Sequence, residues 1–396
     1  MKIVFYNPSR IIGGAEHLFF RLYKFYLERG HECKVVDYSD GAFSKLGIPP
    51  EDIVAVKSVR QCFQVSCDFF ILPPNFSYEA LYAVKANETA KFIFWSIHPY
   101  NCIPTLPLSA YKRLGESSFL KRMIDFVVLG RQISYARRLF KTASEKKSLV
   151  FMDGENYSYA RRFLNYPVSR HFLPVPVPPI SEIAGSPGGQ AAERHFFWVG
   201  RLVDFKIGAL NRLIHDLDAW SRNQPTPLTL HVVGSGEAEK QMRPTTYLNV
   251  EKHGYVDNQS LHRMLATSAD AVFSMGTSVL EGAAIGLPSF IIMPTYQVLG
   301  DVNSYMPLSE TRNFDLGSFS AVEGLLKFDD LVAGNYFDRA YAAACQGYVL
   351  EHHDLAQVAD RLLDMAKSSE FMFGEVKASY KKRFISRLLF SILKGK

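Results

Sequence analysis

The sequence lacks the features that would assign it to several large protein classes. No apolar run approaches the roughly 20 residues of a membrane-spanning helix, so an integral membrane protein of the helical kind is not expected. Cysteine is scarce: five residues, Cys33, Cys62, Cys67, Cys102 and Cys345. They are odd in number, scattered and without metal-ligand spacing, which reads as reduced packing residues in a cytosolic protein rather than a disulfide framework. No repeat and no low-complexity tract is visible, which argues against solenoids and long disordered arms. The opening Met1-Lys2-Ile3-Val4-Phe5-Tyr6-Asn7-Pro8 is too short and too soon interrupted for a signal peptide. What remains is ordinary globular composition, 47% hydrophobic and 21% charged over 396 residues. That length exceeds one ordinary core and calls for two domains.

The net charge of +6 is unevenly spread. Residues 112–147 carry ten Lys/Arg against Glu116, Asp125 and Glu145, and residues 375–396 carry seven against Glu375. Those two segments hold +13, which leaves −7 for the rest of the chain. Segregation of this kind suits a polyanionic partner surface. No nucleic-acid motif accompanies the charge, so nucleic acid is not expected as a partner. Residues 376–393 also place Val376, Tyr380, Phe384, Ile385, Leu388, Leu389, Ile392 and Leu393 on one helical stripe, and large apolar residues (Phe119, Met123, Phe126, Phe140, Phe384, Phe390) interleave the basic ones. An anionic membrane surface is one partner this allows. Solvated helix faces and a terminal helix packed back on the protein are the others.

Apolar strands and amphipathic helices alternate along both halves. Strands are expected at residues 1–7, 32–37, 69–72 and 92–95, with helices at 15–28 and 77–86. After a composition break at the proline-rich stretch 173–179 and the Gly/Ser/Ala-rich stretch 185–192, the alternation restarts. Strands are then expected at 196–199, 228–233, 248–251, 271–273 and 289–293, with helices at 208–218, 237–242, 260–267 and 279–285. This pattern means two doubly wound parallel sheets, with ligands at the carboxyl ends of the strands. The boundaries expected are residues 1–180, 181–370 and a C-terminal basic helix over 371–396.

The stretch from Ala269 to Pro288 is the most informative. A short buried strand runs into Ser274-Met275-Gly276-Thr277-Ser278, and a helix follows. Free N–H groups and the helix dipole at such a start suit an anion. Glu281, expected in the first turn, would repel phosphate, yet it can accept hydroxyl hydrogen bonds from a ribose. A nucleotide diphosphate satisfies both features. A helix whose first-turn acid merely complements its dipole is the plain alternative. Gly200-Arg201-Leu202-Val203-Asp204-Phe205-Lys206 follows the first strand of the second half and supplies two cations for a diphosphate, Arg bidentate and Lys as a compact charge. A solvated basic loop is again the plain alternative. Gly13 and Gly14 precede the first helix, where backbone can approach phosphate closely or simply turn. Asp153-Gly154-Glu155-Asn156-Tyr157 reads as a solvated turn. Asp216-Leu217-Asp218 falls inside a helix, and no His/Cys cluster has ligand spacing, so no metal site and no bound cofactor are expected.

Gly200-Arg201-Leu202 with Lys206, Val232-Val233-Gly234-Ser235-Gly236-Glu237, Gly254-Tyr255-Val256, Ala269-Asp270-Ala271 and Leu280-Glu281-Gly282-Ala283-Ala284-Ile285-Gly286-Leu287-Pro288 together resemble glycosyltransferase family 4, across roughly residues 196–293. The first half resembles it more weakly, through Gly13-Gly14-Ala15-Glu16 and Arg29-Gly30-His31-Glu32. The resemblance implies a GT-B architecture, two Rossmann-like domains facing a cleft, and retaining, metal-independent sugar transfer from a nucleotide-diphosphate donor. It implies that Arg201 and Lys206 hold the diphosphate, Glu281 the ribose, and backbone near Tyr255 and Val256 the base. Gly276, Thr277 and Ser278 belong to the phosphate loop, and Gly14, beside Gly13, would close over the phosphates. A histidine near His98 often meets the donor sugar in this family, so His98 joins Arg201 and Lys206 as a catalytic candidate, with a structural role as its alternative. The family's first glutamate position holds Phe273 here, a departure shared with some bacterial surface-polysaccharide enzymes that resemble this chain. The implied acceptor is a glycan, lipid-linked at the cytoplasmic face of a bacterial membrane. A catalytically degenerate nucleotide- or glycan-binding protein, and a GT-B epimerase or hydrolase, remain open as alternatives.

Overall fold

The computed structural model describes residues 1–59, 61–106, 119–180, 193–295, 304–318 and 323–375. The chain divides into two compact units, Met1–Pro174 with Val358–Lys396, and Val175–Gln357. The division falls inside the proline-rich stretch. The chain returns to the first unit earlier than the expected boundary at 370, because the last described helix already bonds there.

In the first unit β1 (Lys2–Tyr6), α1 (Gly14–Glu28), β2 (Glu32–Asp37), α2 (Ala42–Lys45), β3 (Ile53–Ala55), β4 (Phe63–Gln64), β5 (Phe69–Leu72), α3 (Ser77–Ala83), β6 (Val84–Lys85) and β7 (Lys91–Ser96) follow one another. Then come α4 (Phe119–Ile124), a π-helical turn at Asp125–Leu129, α5 (Gly130–Glu145), β8 (Leu149–Phe151) and α6 (Gly154–Leu164). Six strands form one sheet in the order β3-β2-β1-β5-β7-β8, all neighbours parallel. Both sheet faces are covered, so its strands are continuous apolar runs rather than alternating ones; β5 is buried at all four positions. Leu18, Leu22 and Tyr26 form the buried face of α1. The helix expected at 77–86 ends at Ala83, because Val84 and Lys85 pair with Phe63 and Gln64.

In the second unit β9 (Arg194–Val199), α7 (Asp204–Ser221), β10 (Leu228–Val233), β11 (Asn249–Gly254), α8 (Asn258–Ser268), β12 (Ala271–Ser274), α9 (Thr277–Ala284), β13 (Ser289–Ile292) and β14 (Tyr305–Pro307) precede α10 (Phe328–Ala333), α11 (Arg339–His352) and α12 (Leu355–Ser368). The last of these runs on into the first unit, where the Tyr26 hydroxyl donates to the Ala359 carbonyl at 2.7 Å. The sheet order is β11-β10-β9-β12-β13-β14, parallel except for the final pair. Phe197, Val199, Val233, Leu265 and Val272 share one core cluster. Phe196, Phe273, Phe290 and Phe337 form an aromatic one. The helix expected at 237–242 is only a 3-10 turn at Glu239–Gln241. Ala238 N–H is tied to the Leu202 carbonyl, and Pro244 disfavours helix at the residue before it.

Four cysteines are buried, but Cys62 is exposed, so it is not the packing residue expected. Among the described residues no helix is long and apolar enough to cross a membrane.

Candidate functional site

The second sheet reverses direction at β9. The chain builds outward through β10 and β11, then crosses back to lay β12 on the other side of β9. Ligands of open α/β sheets sit at such a switch, outside the carboxyl ends. Val199 pairs with Ser274, so Gly200 and Met275 leave the sheet side by side. Neighbouring loops are locked backbone to backbone. Leu202 N–H donates to the Ser235 carbonyl at 3.0 Å and Gly234 N–H to the Gly254 carbonyl at 2.7 Å. A Cβ on Gly234, which has φ +135, would fall on the Gly200 carbonyl, and one on Gly236 on that of Leu202. The glycines of Val233-Gly234-Ser235-Gly236-Glu237 thus serve strand-loop packing.

Arg201 is exposed and Lys206 half-buried, on the loop and first turn that follow β9. Among the described residues no ion pair engages either cation. Burial and then the Arg201 charge push the Lys206 ammonium down to about 8, the direction expected of a cation with no anion to hold it. The fully buried Trp198 indole N–H also has no hydrogen-bond partner. A Cβ on Gly200 would lie 3.5 Å from Lys206 Nζ and 3.7 Å from Trp198 Nε1, so ammonium and indole N–H meet around that glycine. An unsatisfied buried donor is rare, and an acceptor-rich ligand can complete the indole N–H together with the neighbouring ammonium. Sequence reasoning missed Trp198, because a tryptophan inside a strand reads as core.

Helix α9 starts at Thr277, two residues before the expected start, with Gly276 at its N-cap (φ +71) and no side-chain cap. Thr277 and Ser278 are therefore its first two residues rather than loop. Glu281 is correspondingly displaced from the first turn to the second. It is buried, 7% exposed, with Oε2 3.8 Å from Nε2 of His262 on α8. His262 Nε2 is itself buried without a hydrogen bond, and it is a second residue the sequence did not flag. Phe273 lies wholly in the aromatic core, its ring 4.9 Å from that of Phe290. β12 continues through Ser274, and its alternation turns residue 273 away from the crevice.

Past β11, Tyr255 is 82% exposed, while Val256 packs on the apolar cluster beneath. Asp216 and Asp218 lie within α7 and are engaged there. Asp216 accepts from Arg212 Nε at 2.9 Å and the Tyr305 hydroxyl at 2.7 Å. Asp218 accepts from the N–H groups of Thr246, Tyr247 and Leu248.

The first unit has its own switch point, between β1 and β5. There Gly13 caps α1 and its N–H donates to Glu16 Oε2 at 2.9 Å, while Glu16 Oε1 accepts from Asn7 at 2.9 Å. Gly14 has open space where a side chain would be. His98 is exposed just past β7; its Nδ1 accepts from Tyr100 N–H at 3.2 Å and its own N–H donates to Asn101 Oδ1 at 2.9 Å. The stretch Asp153–Tyr157 is not a solvated turn. Asp153 caps α6 by accepting from Asn156 N–H, and Asp153, Glu155 and Asn156 are buried. Of the first basic segment, 112–118 lies outside the described residues, as does all but 371–375 of the C-terminal helix expected over 371–396. Phe119, Phe126 and Val127 are 77%, 83% and 74% exposed, whereas Phe140 is core at 1%, because it stands on the inner face of α5.

No family model matches the sequence, and no curated protein sequence does either. Solved structures do match. A lipopolysaccharide outer core galactosyltransferase, WaaB in its apo form, shares 12% identity at a TM-score of 0.52, over 93% of this chain and 99% of that one. A glycosyltransferase from Rickettsia africae ESF-5 shares 13% at 0.53, over 92% and 97%. An alpha-glucosyltransferase in complex with UDP shares 11% at 0.52, over 93% and 100%. The fold is that of the GT-B glycosyltransferases, with two Rossmann-like units.

Proposed function

We propose that the chain is a glycosyltransferase that moves a sugar from a nucleoside-diphosphate donor to a hydroxyl of a glycan. The observation that carries this reading is the group of donors at the second switch point. Arg201, Lys206 and the Trp198 indole N–H gather at one strand end beside an uncapped helix start, with no carboxylate engaging them among the described residues. Arg201 and Lys206 neutralise the departing diphosphate, aided by the first N–H groups of α9 at Gly276, Thr277 and Ser278. Glu281 accepts the ribose hydroxyls, positioned by His262, and the backbone at Tyr255 and Val256 borders the base. In the first unit, Gly14 offers an open approach, and His98 stabilises the oxocarbenium-like centre of a retaining transfer. The diphosphate is stabilised by these groups without a divalent metal. One structural neighbour is a complex with UDP and another acts in lipopolysaccharide synthesis. The first supports a nucleotide-sugar donor, and the second a glycan acceptor in bacterial surface polysaccharide.

Incubation with a panel of nucleotide sugars, assayed for released nucleotide, tests the reading. Donor hydrolysis, unaffected by EDTA, is expected. Absence of both turnover and diphosphate binding would overturn it. Burial of Phe273 favours a second reading, since no side chain from that position reaches the donor sugar. In that case the protein binds the donor without transferring it, and calorimetry would show binding while no nucleotide is released from any donor–acceptor pair.

The acceptor is lipid-linked, and the enzyme meets it by resting on an anionic leaflet. Exposed Phe119, Phe126 and Val127 beside exposed Arg131 and Arg138 support this. Apolar contact and basic charge together suffice for reversible attachment. Co-sedimentation with anionic vesicles is expected at low salt, lost at high salt and in an Arg131→Glu/Arg138→Glu variant. Wild type remaining in the supernatant at low salt would remove the membrane from the proposal.

A further inference from the structure

A row of imidazoles crosses the second sheet, from the start of β9 to the end of β11. His195 of β9, His231 of β10 and His253 of β11 stand on adjacent strands. Nδ1 of His195 is 3.0 Å from Nε2 of His231, and Nδ1 of His231 is 2.9 Å from Nε2 of His253. Glu251 pairs with His231 in the ladder, and its Oε2 lies 3.4 Å from His231 Nδ1 and 4.0 Å from His253 Nε2. The ladder slips here, with Val232 against Lys252 and Val233 against Gly254. His253 is the extra residue of a bulge, a device that re-aims side chains. None of these residues belongs to the diphosphate or ribose groups proposed above, so the site stands or falls independently of that reading.

We propose that His231 Nδ1, His253 Nε2 and Glu251 Oε2 bind a first-row divalent transition metal, zinc foremost. Two imidazole nitrogens and a carboxylate oxygen are a donor set for zinc, cobalt or nickel rather than for magnesium or calcium, which take oxygen. A tetrahedral ion with bonds of about 2.0–2.1 Å sets its ligands roughly 3.3 Å apart, and the three separations bracket that value. His195 supplies outer support of the kind metal-bound histidines have. His231 Nε2–H donates to His195 Nδ1, which fixes the tautomer and leaves the His231 Nδ1 lone pair toward the other two ligands. The His231 ring is held in place, stacked on Phe197 at 4.5 Å and 8% exposed. Glu251 is exposed on the edge strand, which gives an ion a way in. Bound there, the metal staples β11 to β10 immediately before the loop that carries Tyr255.

The test titrates zinc alone into the full-length protein, in a Cys62→Ser background that removes the exposed thiol. Calorimetry and a metal count after gel filtration are expected to give about one zinc per chain, and cobalt is expected to give a tetrahedral visible spectrum. His253→Ala and Glu251→Gln lie on an edge strand outside the core and should fold. The first is expected to abolish the cobalt spectrum and the second to weaken binding. His195→Ala should weaken zinc about tenfold while the spectrum persists, and His215→Ala, on exposed α7 surface, should change nothing. Zinc should raise the melting temperature of the parent and not of His253→Ala. The proposal is overturned if the parent holds no zinc, or if His253→Ala binds as tightly as the parent. In either case the imidazoles are a hydrogen-bonded row and nothing more.

Discussion

The two sheets share one strand order and differ only in the direction of the sixth strand, yet the helices at their switch points begin differently. At α1 the chain supplies its own anion: buried Glu16 takes the Gly13 N–H and an Asn7 amide. At α9 no side chain caps the start, the nearest acid has moved to the second turn, and two cations and an indole N–H stand beside it. The same topology therefore yields one crevice satisfied from within and one that is short of acceptors. Fold places both crevices, and a few side chains decide which is left short of acceptors.

The largest effect expected is at the cations. Arg201→Ala and Lys206→Ala should each weaken nucleoside-diphosphate binding by about 1.5–3 kcal/mol, roughly ten- to a hundredfold. Nucleoside binding should be nearly unchanged, and calorimetry with both ligands checks it. Equal losses for the two would erase the contrast between the crevices.

Next comes pH. Lys206 in the free protein has been pushed down to about 8. Above that point the anion must first restore its proton, so diphosphate affinity should fall as pH rises, by up to about tenfold per unit. Below it the affinity should be flat down to the range where the phosphate itself titrates. Lys206→Arg, whose charge does not titrate there, should remove the slope. A slope that persists in that variant would move its origin elsewhere.

A smaller effect is expected of Glu281→Gln. Neutral hydrogen bonds replace charged ones, costing about 1 kcal/mol, and wild type should prefer ribose to 2′-deoxyribose nucleotides more than the variant does. A wild type indifferent to the 2′-hydroxyl would take Glu281 out of the ribose site. Glu16→Ala should cost about 1 kcal/mol of stability through the lost cap, read as a lower melting temperature. Nucleotide affinity should move far less than in Lys206→Ala. If it moves as much, α1 is not the self-satisfied helix described here.

The doubly wound alternation and the strand positions were legible in sequence wherever the signal is local. β2, β5 and β10 begin and end where expected, and Gly200-Arg201 with Lys206 is visible as a strand, a turn and two cations. What escaped depends on distance along the chain. Trp198 is noticeable only once its indole N–H is seen to lack a partner. His231 and His253 stand far outside any ligand spacing until β10 and β11 align, and His262 meets Glu281 only through helix packing. Asp153 and Glu155 read as solvent-facing because polar residues in a Gly-containing stretch look like a turn. A helix cap buries the same residues. Phe273 shows a subtler failure, since a motif alignment marks the missing acid but not that the strand has grown past the position.

The first unit is discontinuous, and this has a consequence for how the protein is made. Its core takes Phe371 and Phe373 from the far end of the described chain. Phe92 N–H is bonded to the Phe371 carbonyl at 3.0 Å, and the ring of Phe373 stacks on Phe92 at 5.7 Å. Domains ordinarily fold as units in the order of synthesis, N-terminal first. Here the segment up to Pro174 must wait for residues made after the whole of the second unit. The inserted unit, unbroken from Val175 to Gln357, has all its strands in hand sooner. A nascent chain that has emerged as far as residue 357 would therefore carry a complete second unit joined to a first unit still open along β7. That is the interval in which a chaperone has the most to hold.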